Sequence, residues 1–265
     1  MSVVDQFGNI NIKDRSGEWR RVPNVVVDRD SYYANPHYPV TVDGDRVNTA
    51  NGSVSKINIK FKKFNMMKTL GLTNNNELII WNDKNLRIPI ATEVEELVGH
   101  STPTYYKNDK WWQFYQQVNK SIEVTNLPKL SKIIKIRGDL LLTGTDLFYQ
   151  VHNNSQFAKI PCSLQVLDMM RTSIYNRCSD LILVLDTDRQ LHIHVSYRND
   201  NLIPVDNTIL DDYNSVSKWS RLEMIDHEPH LINENGESVI IISDEGGIIR
   251  RKKTIPVEFF RVYTA

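Results

Sequence analysis

A segment that recurs along the chain is the feature that most constrains its fold. Each copy has a short apolar run, a polar turn and a second run in which apolar and polar residues alternate. Another polar turn follows, and then an apolar residue before proline. Five copies align, and they begin at Val3, Leu70, Leu140, Leu183 and Ile240. A period of a few tens of residues predicts an array of similar supersecondary units.

The copy around Leu183 illustrates the local physics. Residues 181–185 are a continuous apolar run of strand length, which is typical of an inner strand buried on both faces. Residues 186–189 are turn-forming, because Asp side chains hydrogen-bond to the nearby backbone. Leu191 and Ile193 then alternate with polar residues, as in a half-buried strand. Each copy is therefore predicted to be a hairpin followed by a return strand.

Two weaker copies and a set of apolar runs complete the pattern. The weaker copies begin at Val40 and Pro103, with turns at residues 43–44 and 107–109. Proline lacks an N–H group, so each proline ending is expected at a strand end or a sheet edge. The endings are Pro23, Pro89, Pro128, Pro161, Pro204 and Pro256. The apolar runs that follow them, predicted to supply a fourth strand, are residues 25–27, 57–61, 94–98, 133–136, 164–167 and 257–263.

Four-stranded units of roughly 40 residues predict an all-β protein, a single closed β-propeller that occupies residues 1–265 as one domain. Seven blades are expected. Six is the alternative, because the unit between Pro204 and Ile240 is over-long. The N-terminal hairpin at 3–13 and the C-terminal strand at 257–265 are predicted to share one blade. Their pairing would close the ring and remove an exposed sheet edge.

The order of apolar strand, Leu-Thr, Asn or Asp turn, aromatic residue and Ile-Pro resembles the repeats of the regulator-of-chromosome-condensation-like propeller family. Residues 70–83 and 141–149 carry the resemblance most clearly. It implies the propeller fold. The family repeat carries several glycines and a Gly-His-Ser stretch before the Leu-Thr, and the copies in this chain lack both; the whole chain has only 11 glycines. The activities of that family are therefore not carried over.

Composition narrows the class of function. Lys and Arg total 32 and Asp and Glu total 32, so broad nucleic-acid binding is not expected. Cys162 and Cys178 are too few for a disulfide framework and have no zinc-site spacing. With no secretory signal and no apolar run of membrane-spanning length, a cytoplasmic location is expected. Heavy use of Asn, Ile and Lys indicates an AT-rich genome, such as that of a large DNA virus, and hence an infected host cell.

An aromatic stretch is the first candidate for a partner-binding site. Its members are Tyr105, Tyr106, Trp111, Trp112 and Tyr115. Aromatic residues on both faces of a strand mean that at least one set points away from its own sheet. Tyr and Trp are favoured interface anchors, which indicates a protein-binding or sugar-stacking surface. The alternative is packing between neighbouring blades, which also consumes large side chains.

Basic runs are the second candidate. If the first and last units are adjacent in a ring, their basic residues would form a site for an acidic partner or a phosphate. Solvated turns are the alternative. The residues are Arg20, Arg21, Arg250, Arg251, Lys252 and Lys253, with a third basic stretch at Lys60, Lys62 and Lys63.

No catalytic residue, cofactor or metal is expected. His192 and His194 share one face of a predicted strand, but no third metal ligand accompanies them at a recognisable spacing. The sequence contains no glycine-rich phosphate loop, nucleophile elbow or His-Glu-x-x-His motif. We therefore expect a non-enzymatic scaffold that binds a protein partner of unknown identity through one face of the ring. A carbohydrate-binding propeller is the alternative, and a hydrolase or lyase is disfavoured because the predicted innermost strands are apolar.

Overall fold

The chain is represented by a computed structural model. The residues it describes are 2–5, 7–27, 39, 41, 43–56, 59–64, 70–81, 87–99, 102–151, 156–174, 179–196, 203–204, 218–225, 228–244 and 247–252. Within them, every regular element is a β-strand except two short 3₁₀ helices, Gln116–Val118 and Leu130–Lys132. The all-β prediction is therefore confirmed. No helix in these residues is long and apolar enough to span a membrane.

The strands form seven sheets within the described ranges, and in each the strand order follows the chain order. The first sheet contains β1 (Ser2–Val4), β2 (Asn9–Lys13) and β3 (Trp19–Val26). The second contains β4 (Arg46–Asn48) and β5 (Ser53–Ser55). The other five sheets have four antiparallel strands each.

The four-stranded sheets have the following bounds. The third sheet contains β6 (Phe61–Phe64), β7 (Leu70–Thr73), β8 (Leu78–Trp81) and β9 (Arg87–Ala91). The fourth contains β10 (Glu96–Val98), β11 (Thr104–Lys107), β12 (Lys110–Tyr115) and β13 (Lys120–Val124). The fifth contains β14 (Lys135–Arg137), β15 (Leu140–Leu142), β16 (Asp146–Gln150) and β17 (Phe157–Pro161). The sixth contains β18 (Val166–Ile174), β19 (Ser179–Asp186), β20 (Leu191–Ser196) and β21 (Ile203–Pro204). The seventh contains β22 (Trp219–Ile225), β23 (Glu228–Asn233), β24 (Ser238–Asp244) and β25 (Gly247–Lys252).

Each four-stranded sheet is an antiparallel meander, which is the unit of a propeller blade. The predicted four-stranded unit is thus confirmed in five of the seven sheets of the described residues. The chain separates into two compact units, residues 8–162 with Ser2, and residues 163–265 with residues 3–7. The closed ring, the number of blades and the single domain stay predictions, and residues 257–265 lie outside the described part of the chain.

A five-residue turn explains why the repeat is legible in the sequence. In the third sheet, the Thr73 N–H donates to the Glu77 carbonyl at 2.9 Å, and the Thr73 hydroxyl accepts from the Glu77 N–H at 3.0 Å. Asn76 adopts a φ of 64°, which Asn and Gly tolerate. The same pattern recurs at residues 41–45, 186–190 and 233–237, and also at 14–18.

The glycine of the turn at 41–45 shows the constraint most directly. Gly44 has a φ of 89°, and a Cβ there would lie 2.7 Å from the Lys60 Cα. Both the backbone conformation and the close approach exclude a side chain. The predicted turn at residues 43–44 is confirmed, as is the turn at 107–109, where Asn108 and Asp109 both have positive φ as in a type I′ hairpin.

Two boundaries predicted from the sequence are corrected. The copy placed at Ile240 begins one strand late, because Ile240 lies in β24, the third strand of its sheet, and the second strand is β23. That strand includes a Glu and a Pro, so it lacks the apolar run by which the other copies were recognised. The run at 25–27 also starts no new strand. Residues 25 and 26 end β3, and Val27 makes an isolated bridge to Thr41.

The proline endings occupy sheet edges, as expected for residues without a donor. Pro23, Pro89, Pro161 and Pro204 lie in β3, β9, β17 and β21, each the last strand of its sheet. Pro128 lies between strands. Pro256 falls outside the described residues.

Both faces of the fourth sheet are covered by its neighbours. One face packs on the third sheet in a cluster comprising Leu70, Leu72, Leu78, Val94, Leu97, Tyr105 and Phe114. The opposite face packs on the fifth sheet in a cluster comprising Val98, Tyr106, Trp111, Leu141, Phe148 and Phe157. Because large side chains fill both gaps, the aromatic residues of β11 and β12 hold three consecutive sheets together.

Candidate functional site

Three of the five aromatic candidates are core residues. Tyr105, Tyr106 and Trp111 are buried between sheets, and Trp111 is 2% exposed. The Trp111 indole N–H donates to the Pro128 carbonyl at 2.7 Å, and its ring meets Tyr106 edge to face at 4.9 Å. This corrects the expectation of a surface position for Tyr106 and Trp111, which are packed as the alternative interpretation proposed. Tyr105 is equally buried, but it also lines the cavity described below.

Tyr106 is buried with its one polar group hydrogen-bonded. Removal from water raises the pKa of its phenol above the ordinary value. The hydroxyl donates to the Asp109 carboxylate at 3.1 Å, and this bond and the charge of Asp109 raise the pKa further. The tyrosine therefore stays neutral and serves as a packing residue with one satisfied polar end.

Trp112 and Tyr115 are half-buried and differ from the other three. The Tyr115 hydroxyl donates to the Gln113 side chain at 3.0 Å. Trp112 lies opposite Tyr105 on β11 and opposite Glu123 on β13, on the face that packs against the third sheet. Since successive residues of a strand point to opposite faces, Trp112 and Trp111 have different environments.

Trp112 lines a cavity of 470 Å³ between the third and fourth sheets, here called the Trp112 groove. This volume lies within the range of sites that hold a small ligand or a few side chains. One wall is the end of β9 and the residue after it, and the other is the exposed part of the fourth sheet. The lining comprises Pro89, Ile90, Ala91 and Thr92 on the first wall and Tyr105, Lys107, Asn108, Trp112 and Ser121 on the second.

The polar groups of the Trp112 groove are hydroxyl, amide and ammonium groups. The Tyr105 hydroxyl donates to the Ser121 hydroxyl at 2.9 Å. In the part of the lining that the structure describes, Lys107 is the charged residue and no carboxylate is present. Lys107 Nζ lies 3.9 Å from a carboxylate oxygen of Glu93, whose side chain is 79% exposed. The groove therefore combines an apolar wall, an indole and one weakly paired cation.

A second cavity, of 510 Å³, lies beside the β7–β8 turn of the third sheet. Its lining comprises Ile59, Lys60, Thr73, Asn74, Asn75, Glu77, Ile79 and Pro89. None of these described residues is aromatic. The rest of the third basic stretch is engaged, because Lys62 hydrogen-bonds to Asn76 and Lys63 pairs with Glu96. This cavity lacks the anchor that the Trp112 groove has.

The remaining basic candidates are only partly described. Arg20 and Arg21 are exposed on β3, and Arg20 donates to the Asn51 carbonyl at 3.3 Å. Arg250, Arg251 and Lys252 belong to β25, but only their backbone is described, and Lys253 lies outside the described residues. The first pair and the last three residues belong to different compact units. A joint basic site therefore stays a prediction.

The histidine pair occupies one face of β20. His192 Nε2 lies 2.7 Å from an Asp186 carboxylate oxygen. The pKa of His194 is lowered, first by burial and then by the charge of His192. Within the described ranges, no group of three His, Cys, Asp or Glu side chains is arranged to hold a metal ion.

His194 predicts a pH dependence of stability. A histidine whose pKa is lower in the folded state than its ordinary value of about 6.5 binds a proton more readily when unfolded. Its contribution to the free energy of unfolding is therefore complete above about pH 6.5 and is lost as the pH falls towards the folded pKa. We expect His194→Gln to flatten this part of the profile, measured by urea denaturation between about pH 5 and pH 8. Parallel curves for the variant and the original protein would contradict the expectation.

No known family model matches this sequence, and no curated protein sequence matches it. Several solved structures have a similar backbone arrangement. The WD40 domain of SCAP from fission yeast is 6% identical with a TM-score of 0.49, covering 71% of this chain and 49% of that one. BBS1N, solved in complex with ARL6DN, is 11% identical with a TM-score of 0.44, covering 92% and 87%. The N-terminal domain of Nup159 is 12% identical with a TM-score of 0.37, covering 71% and 59%.

The chain thus spans about half the length of the SCAP structure and 59% of the Nup159 structure. All three TM-scores are below 0.5, so the description of the fold rests on the sheets themselves.

The Trp112 groove includes residues that sequence reasoning did not select. Pro89 was recognised as the end of a repeat and Lys107 as part of a turn, but neither was assigned to a site. Ser121 had no distinguishing signal, since isolated serines in a strand are common. Alternation along β12 separated Trp111 from Trp112, yet only the packing of the neighbouring sheets shows which of the two reaches an open space.

Proposed function

We propose that this protein is a β-propeller scaffold that binds a protein partner in the Trp112 groove. The observation that carries the proposal is a cavity of 470 Å³ lined by the half-buried Trp112 of one sheet and by the apolar residues Pro89, Ile90 and Ala91 of the next. Tryptophan is among the residues that most often dominate the binding energy of a protein interface, particularly where it packs in a pocket rather than on a flat surface. The resemblance to regulator-of-chromosome-condensation-like repeats enters this proposal at the level of the fold alone.

A protein segment suits the groove better than a sugar does. Pro89, Ile90 and Ala91 form an apolar wall opposite Trp112, which matches an aliphatic or proline side chain inserted between them. Sugar hydroxyl groups need acceptors as well as donors, and a buried hydroxyl without a partner costs affinity. Among the described lining residues, the groups that can accept from a sugar are the neutral hydroxyl and amide groups of Thr92, Tyr105, Asn108 and Ser121, which accept less strongly than a carboxylate would. The carbohydrate-binding alternative becomes an outcome of the test.

The test begins with capture of partners from cells of the natural source, followed by purification of the partner that binds in stoichiometric amounts. We expect Trp112→Ser to weaken its binding by more than about tenfold, since a central tryptophan contributes at least that much. Dissociation constants would be measured by calorimetry. The melting temperature of the variant shows whether its fold is retained.

Ile122→Ser is the matched control. Ile122 is 49% exposed on β13 of the same sheet, but it pairs with Gln113 and lies on the face opposite Trp112. Its replacement should leave the affinity unchanged. Loss of binding in the Ile122 variant but not in the Trp112 variant would place the interface elsewhere. Retention on a glycan array, with no protein captured, would favour the carbohydrate alternative and overturn the proposal.

The cytoplasmic location and the viral origin stay predictions from the sequence. So does the lack of enzymatic activity. The proposal places the partner at the Trp112 groove and leaves the exposed Arg20 and Arg21 as a second candidate surface.

A further inference from the structure

We propose that the Trp112 groove selects partner segments that carry an acidic residue. In the free protein Glu93 pairs with Lys107, the cation that would bind this acidic residue, until such a segment displaces it. The inference rests on the proposed function, because it names the chemistry of the segment bound in that groove. It depends on three features of the described residues: the charge of the lining, the geometry of Glu93 and the position of Lys107.

The charge of the groove is one-sided. Among the described lining residues, Lys107 is the charged one, and the other polar groups belong to Thr92, Tyr105, Asn108 and Ser121. Glu123, which lies opposite Trp112 on β13, is paired with Lys110 at 2.9 Å. An acidic group in the groove would thus meet an ammonium group and several donors, whereas a basic group would meet repulsion from Lys107.

Glu93 is held beside this cation by its backbone. It lies between β9 and β10 and adopts a φ of 59°, which is unusual for a residue with a side chain. The two following N–H groups are anchored, from Val94 to the Asn76 carbonyl at 2.8 Å and from Glu95 to the Tyr106 carbonyl at 2.9 Å. The turn is therefore fixed on its C-terminal side, and Glu93 is kept near the β11–β12 hairpin.

The ion pair between Glu93 and Lys107 is weak enough to exchange. Its atoms are 3.9 Å apart, beyond the usual length of a charge-assisted hydrogen bond, and the Glu93 side chain is 79% exposed. Exposed pairs of this kind contribute little. Lys107 is more enclosed, with its side chain 24% exposed, so a carboxylate that enters the groove would meet it with less competition from water. Glu93 then acts as an internal competitor for an acidic ligand.

The test uses a phage-displayed library of random linear peptides selected on the full chain. Selected peptides are expected to share an Asp or Glu at a fixed spacing from a proline or aliphatic residue. For a synthetic peptide of this kind, we expect Lys107→Gln to weaken binding by about tenfold, the typical effect of losing a hydrogen bond to a charged group. Lys107→Arg should retain most of the affinity.

Glu93→Gln gives a result of the opposite sign. Removing the competing charge should strengthen binding of the acidic peptide by about threefold, consistent with the small contribution of an exposed ion pair. The same peptide with its acidic residue replaced by the amide should bind both the Glu93 variant and the original protein equally. Affinities would be measured by fluorescence anisotropy, and melting temperatures would confirm that each variant is folded.

Three contrary outcomes are distinguishable. Selected peptides that lose binding in Trp112→Ser but show no acidic residue and no response to Lys107→Gln would overturn this inference and leave the proposed function standing. If no selected peptide depends on Trp112, and acidic glycans bind instead, both the inference and the proposed function fail. An unchanged affinity in Glu93→Gln, with a clear loss in Lys107→Gln, would reject the role of Glu93 as a competitor.

Discussion

Replacing Trp111 with alanine is expected to lower the free energy of unfolding by about 3–5 kcal/mol, the usual cost of truncating a fully buried aromatic side chain. Trp111 fills the space between the fourth and fifth sheets, together with Leu141, Phe148 and Phe157. Its removal leaves a cavity between the two sheets, which the surrounding strands cannot move together to fill. It also removes the indole donor from the Pro128 carbonyl. Urea denaturation followed by intrinsic fluorescence would measure the change.

Two variants separate packing from hydrogen bonding at this position. Trp111→Phe keeps an aromatic ring but loses the indole N–H, so we expect a loss of roughly 1–2 kcal/mol, mainly from the hydrogen bond. Trp112→Ala, on the opposite face and half-buried, should cost less than Trp111→Ala. If the alanine variants at the two positions were equally destabilised, the described difference in burial between these tryptophans would be contradicted.

Replacing Gln150 with leucine is expected to lower the free energy of unfolding by about 2–3 kcal/mol, because two hydrogen bonds in a buried place are lost. Gln150 lies in β16 of the fifth sheet and is 0% exposed. Its amide group binds both backbone groups of Thr102, the residue that precedes the approach to β11. It accepts from the Thr102 N–H at 3.2 Å and donates to the Thr102 carbonyl at 2.8 Å. Leucine has a similar size, so the loss reports hydrogen bonding rather than a cavity.

Gln150→Glu tests the direction of these two bonds. An ionised carboxylate can accept from the Thr102 N–H but cannot donate to its carbonyl, and burial at this fully enclosed position disfavours the charged form. Its pKa should therefore rise in the folded state, and the variant should regain stability as the pH falls and the carboxyl becomes protonated. A pH-independent difference from the original protein would argue against the bidentate arrangement.

The turns were predictable from the sequence because their hydrogen bonds are local. The Asp186 and Thr73 side chains each accept from the N–H four residues later. The turn is therefore determined by residues within five consecutive positions. The edge prolines were predictable for the same reason, since the missing donor is a property of the residue itself. The seventh sheet was harder to divide into strands because β23 contains Pro229 and lacks a continuous apolar run.

The site was less predictable than the fold. Alternation along the strand places Trp111 and Trp112 on opposite faces, but the sequence does not predict how much of each face a neighbouring sheet covers. Trp111 meets Leu141 and Phe148, which lie about thirty residues further along the chain, whereas Trp112 meets the end of β9 and an open space. The sequence places Lys107 in a turn, and only its distance to Glu93 identifies it as a weakly paired cation.

By itself, the sequence determined that this chain forms repeated antiparallel units with defined turns, because alternation and turn chemistry act over a few residues. It also determined which side chains were candidates for binding. The tertiary structure decided which of them are available: stacking of the third, fourth and fifth sheets buries Tyr105, Tyr106 and Trp111 and leaves Trp112 at the groove. The physical reason is that burial depends on contacts between residues distant in sequence, which no local pattern encodes.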